Sequence, residues 1–179
     1  MLPAEAAHRA GEWPMNRTDP ALYWAPDDPI GSRLVVVSGT ARPTTVDQLT
    51  PALELFDGGC LPQLRERLGD HAHHRARVRI LCAGHGVVHA DTQMFADHHV
   101  MTGQRSAELR PYVREKLLTE FARDGVPREI LVLAEPLYAQ LVVDIFWIPG
   151  LRPHTALHTT VPDQHWQQAA TVLDRWGWP

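Results

Sequence analysis

Four histidines and two aspartates lie close together between positions 85 and 99: His85, His89, Asp91, Asp97, His98 and His99. A carboxylate beside an imidazole orients the ring and raises its basicity, which suits general acid–base work near neutral pH. His85, Asp97 and His98 are accordingly candidate catalytic groups. Asp91 is a candidate substrate contact, or else the cap of a helix or turn beginning at Thr92. Gly84 and Gly86 flank His85, where glycine permits a positive φ or a close backbone approach to a ligand. A simple tight turn satisfies the same pattern. His85 and His89 are four residues apart and share a face if the segment is a strand, so a metal site with His98 and His99 is one reading. The informative spacing for zinc is a helical His pair, and Gly86-Val87-Val88 reads as turn or strand. No metal and no cofactor are therefore expected. His71, His73 and His74 read as a solvated loop, and His154 and His158 as a pair that nothing else supports.

Two further groups could contact a substrate. Ser38 and Arg42 follow an apolar run, and a hydroxyl, exposed amides and a guanidinium fork suit a phosphate or carboxylate. The same serine fits an ordinary surface turn. Glu135 and Tyr138 follow another apolar run. The tyrosine reads either as a hydrogen-bonding partner or as core. Cys82 is expected to be buried in its strand.

These residues depend on the elements that carry them. Arg33 to Ser38 (R-L-V-V-V-S), Val78 to Cys82 (V-R-I-L-C) and Glu129 to Leu133 (E-I-L-V-L) are short β-branched runs of the kind found in buried parallel strands. Ile145 to Ile148 reads as a fourth strand. Helices are expected over Val46 to Phe56, behind a weak Thr44/Asp47 capping box, and over Leu61 to Leu68, Pro136 to Val143 and Asp163 to Trp176. Another carries Val113, Leu117, Leu118 and Phe121 on one face, with Pro111 in its first turn and Gly125 as its stop. Alternating strands and helices predict one α/β domain over 31–179, with a mostly parallel sheet flanked by helices. Residues 1–30 read as an irregular arm packed through Trp13, Tyr23 and Trp24. Trp147, Trp166 and Trp176 are expected to pack the carboxyl-terminal layer. In such sheets ligands bind beyond the carboxyl ends of the strands. That points to Ser38 to Thr45, Ala83 to Gly103 and Ala134 to Tyr138.

Taken together, these segments resemble the YaaA-like family, named for a bacterial peroxide-stress protein, and its shorter relatives. The likeness spans roughly residues 33 to 143. Its carriers are Val35-Val36-Val37-Ser38 with Arg42, Phe56-Asp57-Gly58, and Ile80 to Val88 with its Gly84-His85-Gly86 turn. His89-Ala90-Asp91, Phe95 to Gly103 and Leu133-Ala134-Glu135-Pro136-Leu137-Tyr138 complete the set. His85 stands where the family has tyrosine, Cys82 where it has serine, and Ala96-Asp97 where it has Pro-Tyr. Similar turns occur in archaeosine-forming tRNA-modification enzymes. The resemblance implies a YaaA-like fold and nucleobase or nucleic-acid chemistry.

Composition narrows the function classes. Of 179 residues, 44% are hydrophobic and 21% charged, as in folded globular domains. The net charge of −4 disfavours binding nucleic acid mainly through phosphates. Cys60 and Cys82 form no C-x-x-C pair, Met1 to Glu5 does not open a secretory leader, and no apolar run approaches a membrane span. A reduced, soluble, cytoplasmic protein is expected, with a nucleoside-like small molecule as its partner. The leading expectation is an enzyme acting on a nucleoside- or nucleotide-like substrate by cleaving or exchanging an N-glycosidic bond. In it Glu135 stabilises a cationic sugar while His85, Asp97 and His98 move protons. A nucleic-acid-associated stress protein without turnover and a metal-dependent hydrolase using the His/Asp cluster are the alternatives.

Overall fold

The apolar runs set the architecture. The computed structural model describes residues 30–40, 48–96, 98–156 and 162–179, and these described residues form seven strands and six α-helices. In order these are β1 (Arg33–Ser38), β2 (Thr50–Pro51), α1 (Ala52–Leu55), α2 (Leu61–Leu68), α3 (Ala72–Arg75), β3 (Val78–Cys82), β4 (Gly86–His89) and β5 (Gln93–Met94). There follow α4 (Gly103–Asp124), β6 (Glu129–Leu133), α5 (Pro136–Ala139), a 3-10 helix (Val143–Trp147), β7 (Arg152–Thr155) and α6 (Pro162–Trp176).

The main sheet has the order β4-β3-β1-β6-β7, with only β4 antiparallel. β1 is central and apolar on both faces, because helices cover both. Val35 and Val37 face a core built with α1, α2 and α6, and Leu34 and Val36 face a second core built with α4, Tyr138 and Ile145. This is a single α/β domain with a mostly parallel sheet flanked by helices, as the runs predict. No helix among the described residues is long and apolar enough to cross a membrane.

The winding of the chain creates one special place. From β1 the chain crosses one face through α1 to α3 and enters β3 on one side. It then turns through β4 and β5, crosses the other face as α4, and enters β6 on the opposite side of β1. The connections leaving β1 and β6 therefore depart to opposite faces, through α1 and α2 after β1 and through α5 after β6. The carboxyl ends of these two strands are thus the topological switch point, the place where the crevice of such sheets takes ligands.

Several elements differ from the expected ones. The helix expected over Val46 to Phe56 is cut to Ala52–Leu55, with Val46 and Asp47 outside the described residues. The amides of Ala52 and Leu53 instead donate to the carbonyls of Thr92 and Ala90, and Thr50–Pro51 pairs with β5. Helix α4 begins eight residues before Pro111, at Gly103. The Thr102 hydroxyl accepts from the Arg105 amide and starts it, and Pro111 sits exposed within it. Gly125 closes α4 as predicted.

Ile145 to Ile148 is not a strand. Ile145 is buried within the 3-10 helix, which leaves Trp147 84% exposed rather than packed. The fourth parallel strand is Arg152–Thr155 (R-P-H-T), whose polar residues are tolerated at a sheet edge and hide the strand from any hydrophobic count. Trp166 and Trp176 do pack against the core. His74 lies in the short α3 with its ring against Trp178 at 5.0 Å, so the expected loop there is a helical turn. The arm with Trp13, Tyr23 and Trp24 lies outside the described residues.

Candidate functional site

Each strand that ends at the crevice delivers its next residues there. β1 delivers Ser38, Gly39 and Thr40. Gly39 keeps the strand running by donating its amide to the Leu81 carbonyl at 2.7 Å. Ser38 is only 2% exposed, and no hydrogen bond to its hydroxyl occurs among the described residues. Thr40 lies against the turn Gly58-Gly59 that precedes α2. A Cβ on Gly58 would stand 2.3 Å from both the Thr40 carbonyl oxygen and its Oγ1. Gly59 has φ +60°, and a Cβ there would meet Thr40 Oγ1 at 3.6 Å and Ser38 Oγ at 3.9 Å. Glycine is thus needed twice, once for space and once for conformation. Neither the Gly59 nor the Cys60 amide donates to a backbone carbonyl among the described residues. Burial pushes the Cys60 thiol pKa up, so this cysteine is no ready thiolate.

β6 delivers Ala134 and Glu135. Its last registered pair with β1 is Leu133 with Val37, so Glu135 stands level with Gly39 across the crevice. Pro136 opens α5, and the Glu135 carbonyl accepts the amides of Tyr138 and Ala139. The half-buried Glu135 carboxylate does not cap that helix and has no hydrogen bond or ion pair among the described residues. Tyr138 is 6% exposed and packs in the core beneath α4.

β3 runs into the turn Ala83-Gly84-His85 and returns as β4, which puts the exposed His85 at the same edge of the sheet. Arg105, in the first turn of α4, braces this hairpin by donating to the carbonyls of Ala83 (2.8 Å) and Gly84 (3.2 Å). Ser106 beside it donates to the Leu137 carbonyl at 2.7 Å. The start of α4 therefore ties the β3 turn to the β6 turn. Gly86 is buried at φ +75°, and a Cβ would touch Tyr112 and Val113 at 3.0 Å. Its missing side chain admits α4, so the expected ligand contact at Gly86 becomes a packing role.

A cleft of about 590 Å³ adjoins the hairpin. His85, His98 and His99 line it, with Val88, Met94 and Phe95 giving an apolar wall. Three imidazoles beside apolar surface suit a flat, polar-edged ring.

The other predicted residues fall elsewhere. Asp91 leaves β4 at the opposite edge of the sheet, next to Ala90, whose amide bonds Val78 at the start of β3. There Asp91 accepts two hydrogen bonds from Arg75, at 2.6 and 2.8 Å, and Arg75 also pairs with Glu54 at 3.0 Å. Asp91 is thus an ion-pair partner remote from the crevice. His89 is also turned away, toward Glu120 at 3.3 Å, and among the described residues no three His, Cys, Asp or Glu side chains could hold a metal ion. His154 pairs with Glu129 at 2.7 Å at the amino edge of the sheet. Cys82 is fully buried, as expected. Arg42, Asp97 and His158 lie outside the described residues.

Thr40, Gly59 and Arg105 carry no site signal in the sequence. A serine, a threonine and a glycine pair are common turn residues, and only the pairing of β1 with its neighbours shows that they meet. No protein-family model, curated protein or solved structure matches this chain.

Proposed function

We propose that this protein is a small-molecule enzyme acting on a nucleoside- or nucleotide-like substrate at the crevice between β1 and β6. One observation carries the reading. Ser38, Thr40 and Glu135 surround the switch point, and none of their side chains has a hydrogen-bond partner among the described residues. Thr40 and Glu135 are half-buried and the Ser38 hydroxyl keeps contact with solvent, so the set is uncommitted within the fold and open to a ligand. The histidine-lined cleft offers the matching surface for a base, in line with the YaaA-like resemblance of residues 33–143.

The chemistry this set fits best is cleavage or exchange of an N-glycosidic bond. As the bond from the sugar C1′ to the base nitrogen breaks, positive charge builds on the sugar. The Glu135 carboxylate stabilises that charge. An imidazolium, His85 or His98, gives its proton to the departing nitrogen. Water, or an incoming base, then adds at C1′ and loses a proton to the imidazole. The overall reaction is hydrolysis or base exchange with no change of redox state.

Incubation with a panel of nucleosides, nucleotides and modified bases, read by mass spectrometry, tests this. A released base or sugar should appear, and Glu135→Gln should lower its rate by about a hundredfold or more with thermal stability unchanged. No product from any compound, or full activity in Glu135→Gln, would contradict the reading.

A further inference from the structure

We infer that Ser38, Thr40 and the Gly58-Gly59 turn form the receptor for a phosphate monoester, the anionic end of the substrate. The inference deepens the proposed function and rests on the same crevice. It begins from the Ser38 hydroxyl. The residue is 98% buried, yet its hydroxyl keeps contact with solvent and has no internal hydrogen bond among the described residues, so it is open to a ligand that takes the place of water. The Ser38 hydroxyl is aimed at the turn ahead of α2, since a Cβ on Gly59 would stand 3.9 Å from its oxygen. Thr40 Oγ1 approaches the same point at 3.6 Å. The two hydroxyls thus converge on the space left by the missing side chain of Gly59.

The donors around that space fit a tetrahedral oxyanion. Two hydroxyls come from β1 and its extension. The amides of Gly59 and Cys60 lie at the amino end of the eight-residue helix α2, whose dipole favours negative charge there. The nearest acidic residue in the turn, Asp57, is held by Arg65 at 2.9 Å. Three or more oxygens can each take a donor in such a cradle, whereas a carboxylate has only two. With phosphate in the cradle, Glu135 stands level with Gly39 beside it, where a sugar attached to that phosphate would lie.

Inorganic phosphate is the direct probe, with acetate as the comparison. Thermal denaturation and 31P line broadening of the full chain should show saturable phosphate binding and none for acetate. Ser38→Ala should weaken phosphate binding about tenfold or more, because a hydrogen bond to a charged group is lost. It should leave the melting temperature of the ligand-free protein unchanged, because the hydroxyl has no internal hydrogen bond among the described residues to lose. Thr40→Val, which keeps the shape and removes the second hydroxyl, should weaken binding in the same way. Absence of saturable phosphate binding, wild-type affinity in both variants, or equal acetate binding lost in both variants would overturn the inference. Phosphate binding without turnover of any nucleotide would leave the cradle standing and remove the enzyme reading instead.

Discussion

At the scale of single residues, the crevice and the interior treat polar groups in opposite ways. Around the switch point the side chains of Ser38, Thr40 and Glu135 are left without partners among the described residues, while on the neighbouring strand β3 a charged pair is enclosed. Arg79, the one charged residue in V-R-I-L-C, is 2% exposed and meets Glu120 of α4 at 2.8 Å. Its Nη1 also donates to the carbonyls of Ala76 and Val78. Removing one partner of such a pair strands the other charge in a dry site. Arg79→Ala and Glu120→Ala should each lower stability by about 3–5 kcal/mol, while Arg79→Met with Glu120→Leu should cost much less. Urea denaturation of the three variants checks this, and additive losses would contradict it. Sequence alone could not reveal the pair, because Arg79 and Glu120 are forty-one residues apart and meet only once α4 crosses the sheet.

At the scale of elements, α4 organises the site. Its start braces the His85 hairpin through Arg105 and the β6 turn through Ser106, and its middle holds β4 through Tyr112, Val113 and Lys116. Its apolar face and its stop at Gly125 are legible in the sequence. Its first two turns are not, because Pro111 looks like a beginning and Thr102 alone is a weak cap.

The β4–α4 contact carries a pH dependence. Burial, helped by Arg79, holds the His89 pKa below its ordinary 6.5, against the pull of Glu120. The unfolded chain therefore binds a proton that native His89 resists. Stability from this group is complete above pH 6.5 and falls as pH drops through that value toward the native one. His89→Gln should flatten the acid side of the stability curve relative to wild type as pH falls below 6.5. Parallel curves for the two proteins would contradict this.

At the scale of the whole molecule, the three buried parallel strands were legible residue for residue, since R-L-V-V-V-S, V-R-I-L-C and E-I-L-V-L are apolar on both faces. The edge strand β7 was not, because an edge has no need of apolar residues and Ile145 to Ile148 offered a better hydrophobic run. The site was legible only in outline. Strand ends pointed to Ser38, His85 and Glu135, but the same proximity in sequence wrongly drew in Asp91, which the antiparallel return of β4 carries to the far edge. Strand order, which sequence patterns leave open, decides which loops share the crevice. The most direct test of the account is to locate a bound nucleoside monophosphate by amide chemical-shift changes across the chain. The expected result is a single cluster at Ser38 to Thr40, Gly58 to Cys60, Gly84 to Gly86 and Ala134 to Glu135. Changes centred on the amino edge, around Arg33, Glu129 and His154, or no changes at saturating ligand, would contradict it.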